Sequence, residues 1–171
     1  MKITRPAPTE FAPYYGKYIG LVPGDDAVSA LEQQISATLA LLRGLTEAQG
    51  NHRYEPGKWS IKEVVGHVID AERIFAYRAL RIGRNDPTPL AGFEQDGYVA
   101  SASFDGAALA DLAGELELVR KSNLAMFRQF SPDAWQRQGT ASDHVVSVRA
   151  LAYIIAGHEL HHVGLLRTRY L

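Results

Sequence analysis

The residues with the most chemistry to offer are the six histidines, three of which fall in one short run, His158-Glu159-Leu160-His161-His162. There is no cysteine, which removes disulfides, thiolate metal sites and a cysteine nucleophile together. Any metal held by this chain takes its ligands from His and oxygen donors. Leu151, Ile155, His158, His162 and Leu165 follow one another at spacings of 4, 3, 4 and 3, the inward stripe of a bundle helix. Two imidazoles therefore stand where aliphatic side chains belong. At ~1.5 Å rise and ~3.6 residues per turn they lie about 6 Å apart along the axis and about 40° around it, so their ring nitrogens can meet at one ion. A single inward His commonly satisfies itself by donating to a backbone carbonyl. Two on one stripe need two such partners, whereas one shared metal serves both, and a third ligand decides between the readings.

His67 is the candidate for that third ligand. It lies in Gly66-His67-Val68-Ile69-Asp70, on the flank of an apolar helical face made by Ile61, Val64, Val65, Val68, Ala71, Ile74 and Phe75. His52 falls in a loop, His144 precedes a helix cap, and His161 points about 100° away from His162. The expected ligand set is His67, His158 and His162, three neutral nitrogens that leave a fourth position open, the pattern of a catalytic rather than a structural divalent site. Zinc suits three imidazoles best, and nickel, iron and manganese accept the same ligand type. Glu63 and Asp70 lie one turn either side of His67. Glu159 sits one step off the inward stripe, where it would face solvent or stand behind the ligands. These three carboxylates are the candidate proton acceptors.

The same run matches the H-E-x-x-H pattern of zinc proteases, in which the Glu is general base. The metzincin continuation needs Gly at position 165 and His at 168, where this chain has Leu165 and Thr168, so the protease reading is set aside.

Four amphipathic segments, none with a strand pattern, position these side chains. Asp25 or Asp26 caps a first helix to about residue 44, with Val28, Leu31, Ile35, Thr38, Leu42 and Leu45 on its stripe. Ser60-Ile61-Lys62-Glu63 is a capping box that opens a second, to about residue 83, directly after Trp59. The third, about 106–130, repeats Leu109, Leu112, Leu116, Val119, Asn123, Met126 and Phe130, and Asn123 reads as a hydrogen-bonding residue of the core. After a polar connection at 135–143, Ser147 caps the fourth, to about residue 170. Residues 1–24 hold Pro6, Pro8, Pro13 and Pro23 among Phe11, Tyr14, Tyr15 and Tyr18, and read as an irregular leader with its rings packed on the outside of the bundle. The connection at 84–104 is long for a bundle. Flanking helices of ~22 residues span about 33 Å, and a segment of this length can cross back to start the next helix at the same end. That predicts a parallel second and third helix, and a loop of this kind also serves as a lid. The expected architecture is an all-α four-helix bundle, one domain over residues 1–171 with a long crossover between helices 2 and 3.

Composition narrows the partners. A length of 171 residues with 46% hydrophobic and 22% charged residues is that of one ordinary globular domain. Eighteen Lys and Arg against 19 Asp and Glu leave a net charge of -1, so no global field draws nucleic acid or an anionic membrane. Residues 1–11 lack the apolar core of a signal peptide, and no run of about 18 apolar residues occurs, so the expected location is the cytoplasm.

Trp59-Ser60 opening a helix, His67 seven residues later and Gly157-His158-Glu159-Leu160-His161-His162 near the C-terminus together resemble the DinB-like superfamily, which includes the YfiT-type metal-dependent hydrolases. The resemblance covers most of the chain. It implies an up-down-down-up bundle and a divalent metal held by three His, here His67, His158 and His162. Relatives include thiol S-transferases that use thiols such as bacillithiol, mycothiol-dependent isomerases, and members with no known reaction. The resemblance thus implies a low-molecular-weight thiol as a candidate cosubstrate. The family name refers to DNA-damage induction and not to DNA binding.

Two functions are expected from different classes. The first is a metal-dependent enzyme on a small molecule, hydrolase or thiol S-transferase in type, whose ion activates water or an exogenous thiol. A cavity floored by Leu151, Ile155 and Val64 would favour a small, partly apolar substrate. Arg73, Arg78 and Arg81 offer charge to acidic substrate groups, although each reads first as a solvated surface residue. The second is a metal-binding stress-response dimer without turnover. A homodimer is expected in either case, because the aromatic leader leaves apolar surface to cover.

Overall fold

In the computed structural model, which describes residues 1–171, the caps read from the sequence bound the main helices. A short leader helix α1 (Gly16–Ile19) precedes α2 (Ala27–Arg43), where Val28 N–H donates to the N-cap Asp26. After the single turn α3 (Glu47–Gly50), α4 (Ile61–Gly83) opens on the Ser60 and Glu63 capping box with both of its reciprocal bonds made. The crossover carries α5 (Gln95–Ser101). Then follow α6 (Leu109–Phe127), α7 (Pro132–Gln136) and α8 (Val148–Leu165), the last capped by Ser147 and extended by a wider turn, Leu166–Tyr170. The third helix is shorter than its repeat; Ala108 offers no side-chain cap, and the first free amide, Leu109 N–H, is satisfied by Glu47 Oε1 at 2.8 Å.

Side-chain contacts fix the directions of the four long helices. Glu32 pairs with Arg128 and Arg43 with Glu117, so α2 and α6 are antiparallel. Lys62 lies beside Asp105 at one end and Gly83 beside Phe130 at the other, so α4 and α6 are parallel, as the length of the crossover predicts. Gln34 reaches the Ala156 carbonyl and Thr38 reaches Glu159, so α2 runs with α8. Trp59 meets Tyr170 while His67 meets His158, so α4 runs against α8. The order is up-down-down-up, with α2 and α4 each packed between α6 and α8.

Two expectations need correction. The connection before α8 is a β-hairpin, with β1 (Gln138–Ala141) antiparallel to β2 (His144–Ser147). Its two-residue turn places Ser142 and Asp143 at φ 51° and 63°, the left-handed geometry such hairpins favour, yet neither is the Gly or Asn that advertises it. The crossover is stapled to this hairpin: Leu90 N–H donates to Thr140 O, and Ser142 N–H donates to Leu90 O. The leader packs on the outer side of α8 with Tyr14 exposed, but it is more deeply docked than a surface leader. Tyr18 and Ile19 are buried against α8, and Arg149 grips Glu10. Burial opposes the Glu10 charge, but hydrogen bonds from Arg149, the Ala7 N–H and Ser147 together outweigh it and lower the carboxyl pKa to about 2.

That docking depends on Gly157, because a Cβ there would overlap the Tyr18 backbone. Gly157→Ala is therefore expected to lower stability by about 1–3 kcal/mol in urea unfolding. Gly114→Ala, on α6 with open space around it, is expected to be neutral or to add about 0.5–1 kcal/mol.

Candidate metal centre

His67 comes from the second turn of α4, and His158 and His162 come from successive turns of α8. The antiparallel packing of these two helices brings the three rings together. His158 Nε2 lies 3.1 Å from His67 Nε2 and 3.2 Å from His162 Nε2, and the donor atoms of the three residues all fall within 4.8 Å of one another. Neutral imidazole nitrogen has one lone pair, so His158 cannot accept properly from both neighbours at once. A divalent ion satisfies the arrangement better. With Zn–N of about 2.0–2.1 Å, tetrahedral geometry separates ligand nitrogens by about 3.3–3.4 Å, close to the spacings observed. His162 Nδ1 is buried without a hydrogen-bond partner. His52 and His144 are exposed and elsewhere, and His161 packs its ring against Tyr18 rather than joining the set.

Two cavities approach the three rings. One, of about 280 Å³, reaches His67 and His158 past Tyr14, Tyr18, Phe75 and Phe93. The other, of about 490 Å³, reaches His162 past Trp59, Val64, Tyr170 and Asp96. Gln95, at the start of α5, borders both, so the crossover lies over the centre as a lid would. Val64 lines the larger cavity as expected, whereas Leu151 and Ile155 are packed in the core behind the site. The aromatic wall was not expected from the sequence. Tyr18 stands edge-on to His158 at 5.4 Å and Trp59 leans on His67 at 4.9 Å. Gly66 and Gly157, each directly before a histidine, admit Phe104 and the Tyr18 backbone at distances no side chain would allow.

None of the three carboxylates expected to take a proton borders either cavity. Glu63 accepts from Ser60 N–H and pairs with Arg53, as a helix cap does. Asp70 sits toward α6 with Arg73 and Glu115 as its charged neighbours, and its pKa is raised by burial. Glu159 is not solvent-facing but buried, because α1 and α2 cover the sides of α8 that a simple stripe leaves open. It accepts from Thr38 Oγ1, Gln34 Nε2 and Arg120. Arg120 in turn holds Glu72 through two bonds of 2.8 Å, and Asn123 donates to the same Glu72. Burial opposes the Arg120 charge, but the two carboxylates overcome it and raise its pKa. Asp96 and Glu94, in the crossover, are the carboxylates that do border the cavities.

Burial disfavours charge on all three histidines. The pKa of His67 is lowered from 6.5 to about 4, that of His162 to about 3 with His67 adding to the effect, and that of His158 falls well below its ordinary value. The unfolded chain therefore binds protons more readily than the folded one. For metal-free protein this contribution to stability is complete above about pH 6.5 and is lost as the pH falls toward the folded values. The urea midpoint of chelator-treated protein is expected to fall between about pH 7.5 and about pH 5, and less steeply in His67→Gln. A flat midpoint in the wild-type protein over that range would contradict the burial of neutral imidazoles.

Comparison with solved structures finds the same architecture elsewhere. YfiT from Bacillus subtilis, described as "a probable metal-dependent hydrolase with an unusual four-helix bundle topology", superposes with a TM-score of 0.73 at 16% identity over 95% of this chain and 91% of that one. A mycothiol-dependent maleylpyruvate isomerase gives 0.67 at 14% identity over 80% of this chain and 58% of its own. The DinB-like protein YjoA from Bacillus subtilis gives 0.60 at 19% identity, over 84% and 89%. At such identities the likeness is one of fold. Comparison with curated proteins by sequence gives no match. The sequence pattern of the DinB superfamily, however, matches residues 30–166, from early α2 to the end of α8 and so across all three histidines, and on that ground the chain belongs to the DinB superfamily.

Proposed function

We propose that the protein is a divalent-metal-dependent enzyme acting on a small molecule, of hydrolase or thiol S-transferase type. The observation that carries this reading is the convergence of three buried imidazole nitrogens between two cavities. His67, His158 and His162 would hold the ion, with zinc favoured by the ligand set and nickel, iron or manganese as alternatives. When bound, such an ion supplies Lewis acidity, which stabilises the deprotonated form of a water or low-molecular-weight thiol nucleophile. That one structural neighbour is described as a probable metal-dependent hydrolase supports the hydrolytic branch, and that another is named a mycothiol-dependent isomerase supports the use of a thiol.

The remaining roles fall to this chain's own side chains. Tyr18, Trp59, Phe75 and Phe93 give the cavities apolar walls that exclude bulk water and suit a small, partly apolar substrate. Asp96 takes the proton of the nucleophile. It borders the cavity that reaches His162, and its carboxylate has no ion-pair partner, unlike Glu63 and Glu159.

A panel of small electrophiles, assayed with and without bacillithiol, mycothiol or glutathione beside ester and amide substrates, separates the two branches. Activity is expected in one arm, abolished by chelator and restored by a divalent ion. Asp96→Asn is expected to lower kcat by about 10²-fold or more while metal content stays unchanged. Metal-loaded protein inert in both arms would favour the non-catalytic stress protein instead.

A further inference from the structure

Two arginines are buried, and they are treated differently. Arg120, 1% exposed, faces Glu72 and Glu159. Arg78, 3% exposed, has no carboxylate within ion-pair distance. Its Nη2 donates to the Ala91 carbonyl at 2.8 Å and to Ser142 Oγ at 3.0 Å, and its guanidinium carbon lies 5.8 Å from the ring centres of both Phe75 and Phe93. Carbonyl, hydroxyl and π-face contacts ease the burial of a cation but do not neutralise it. An uncompensated buried guanidinium is a place where an anion belongs.

There is room for one. Arg78 borders a cavity of about 380 Å³ between α4 and the crossover, beside Tyr77, Arg81 and Tyr98. Arg81 is already engaged by Asp86 and Tyr77, which leaves Arg78 as the unanswered charge there. The Phe93 ring borders this cavity and also the one that reaches His67 and His158. Arg78 follows His67 by eleven residues, which places it on nearly the same face of α4, about 16 Å further along the axis.

We propose that Arg78 receives the carboxylate or phosphate end of an elongated small substrate whose reacting end lies at the three-histidine centre, with Phe93 between the two. What happens at the far end rests on the metal-dependent reading; anion binding at Arg78 does not. Guanidinium is suited to this task by its planar fork of donors, of which the contacts to Ala91 and Ser142 use one nitrogen, with the neutral Tyr15 hydroxyl close by.

The test uses chelator-treated protein, so that no ion competes for the anion, titrated calorimetrically with benzoate and separately with inorganic phosphate. Saturable one-site binding of at least one is expected, and which one binds tells carboxylate from phosphate. Arg78→Met is expected to weaken it roughly tenfold to a hundredfold, the loss of a charged hydrogen-bonding partner, and Arg78→Lys to weaken it less. Ser142→Ala keeps the guanidinium but removes a contact that pins the crossover to the hairpin, and should bind within about threefold of wild type. Binding lost equally in Ser142→Ala and Arg78→Met would make the effect one of loop position and overturn the proposal. So would failure of both anions to saturate by about 20 mM, or wild-type binding by folded Arg78→Met. Should Arg78→Met not fold, the Arg78 Nε–H resonance of the wild-type protein gives the answer, since it either shifts saturably with the anion or stays in place. Because these titrations need no metal, their failure is distinct from failure of the metal reading, which elemental analysis judges.

Discussion

Bringing the Nε2 atoms of His67, His158 and His162 together in the packed interior between two cavities sets the terms for everything around them. Each ring loses its hydration, and the shared space between them holds too few donors for the acceptors present. The fold accepts that cost by making approach there closer than anywhere else. Gly66 and Gly157 each precede a ligand, and each gives up a side chain so that Phe104 can pack on α4 and the Tyr18 backbone on α8. Tyr170 donates to the Trp59 carbonyl at 2.8 Å, which ties the end of α8 to the start of α4 beyond the site. The histidines are clamped from both sides before any ion is considered.

A second buried structure keeps α8 in the right rotation. Because Glu159 follows His158 by about 100° around the helix, holding its carboxylate against α2 and α6 turns His158 and His162 toward α4. The holding is done by one guanidinium shared between two carboxylates from different helices, with Thr38, Gln34 and Asn123 completing the bonds. Such a network stabilises less than its contacts imply, since three charges are desolvated to make it. Its value lies in direction: apolar packing alone allows a helix to roll, whereas charges on α4, α6 and α8 meet in only one register.

The histidine pair on α8 and the isolated His67 were legible because helical periodicity is a strong signal, and a polar residue on an apolar stripe stands out against it. Asn123 stands out in the same way. The ion network that Asn123 and Thr38 complete does not, because Glu72, Arg120 and Glu159 each sit one step off a stripe, where an exposed charge is the ordinary reading and only tertiary packing says otherwise. Arg78 differs, since it continues the α4 stripe three residues after Phe75, beyond the stretch over which that face is read, and so passes with Arg73 and Arg81 for a surface charge. Tyr18 was out of reach for another reason: nothing local links the leader to α8, and the sole trace in the sequence is the glycine before His158. The hairpin was hidden because Ser142 and Asp143 adopt a backbone geometry they do not advertise. Caps, by contrast, act over four residues, and their signals at Asp25 or Asp26, at Ser60 and at Ser147 mark the starts of α2, α4 and α8, with Asp26 the residue that caps α2.

The central claim is that three particular histidines form one metal site, and counting ions tests it most directly. Elemental analysis of dialysed wild-type protein and of single His67→Ala, His158→Ala, His162→Ala and His161→Ala variants should find about one divalent ion per chain in the wild type and in His161→Ala, and almost none in the other three. Retention of about one ion at wild-type affinity by folded His158→Ala would contradict the account, because that ring is the one within 3.2 Å of both of the others.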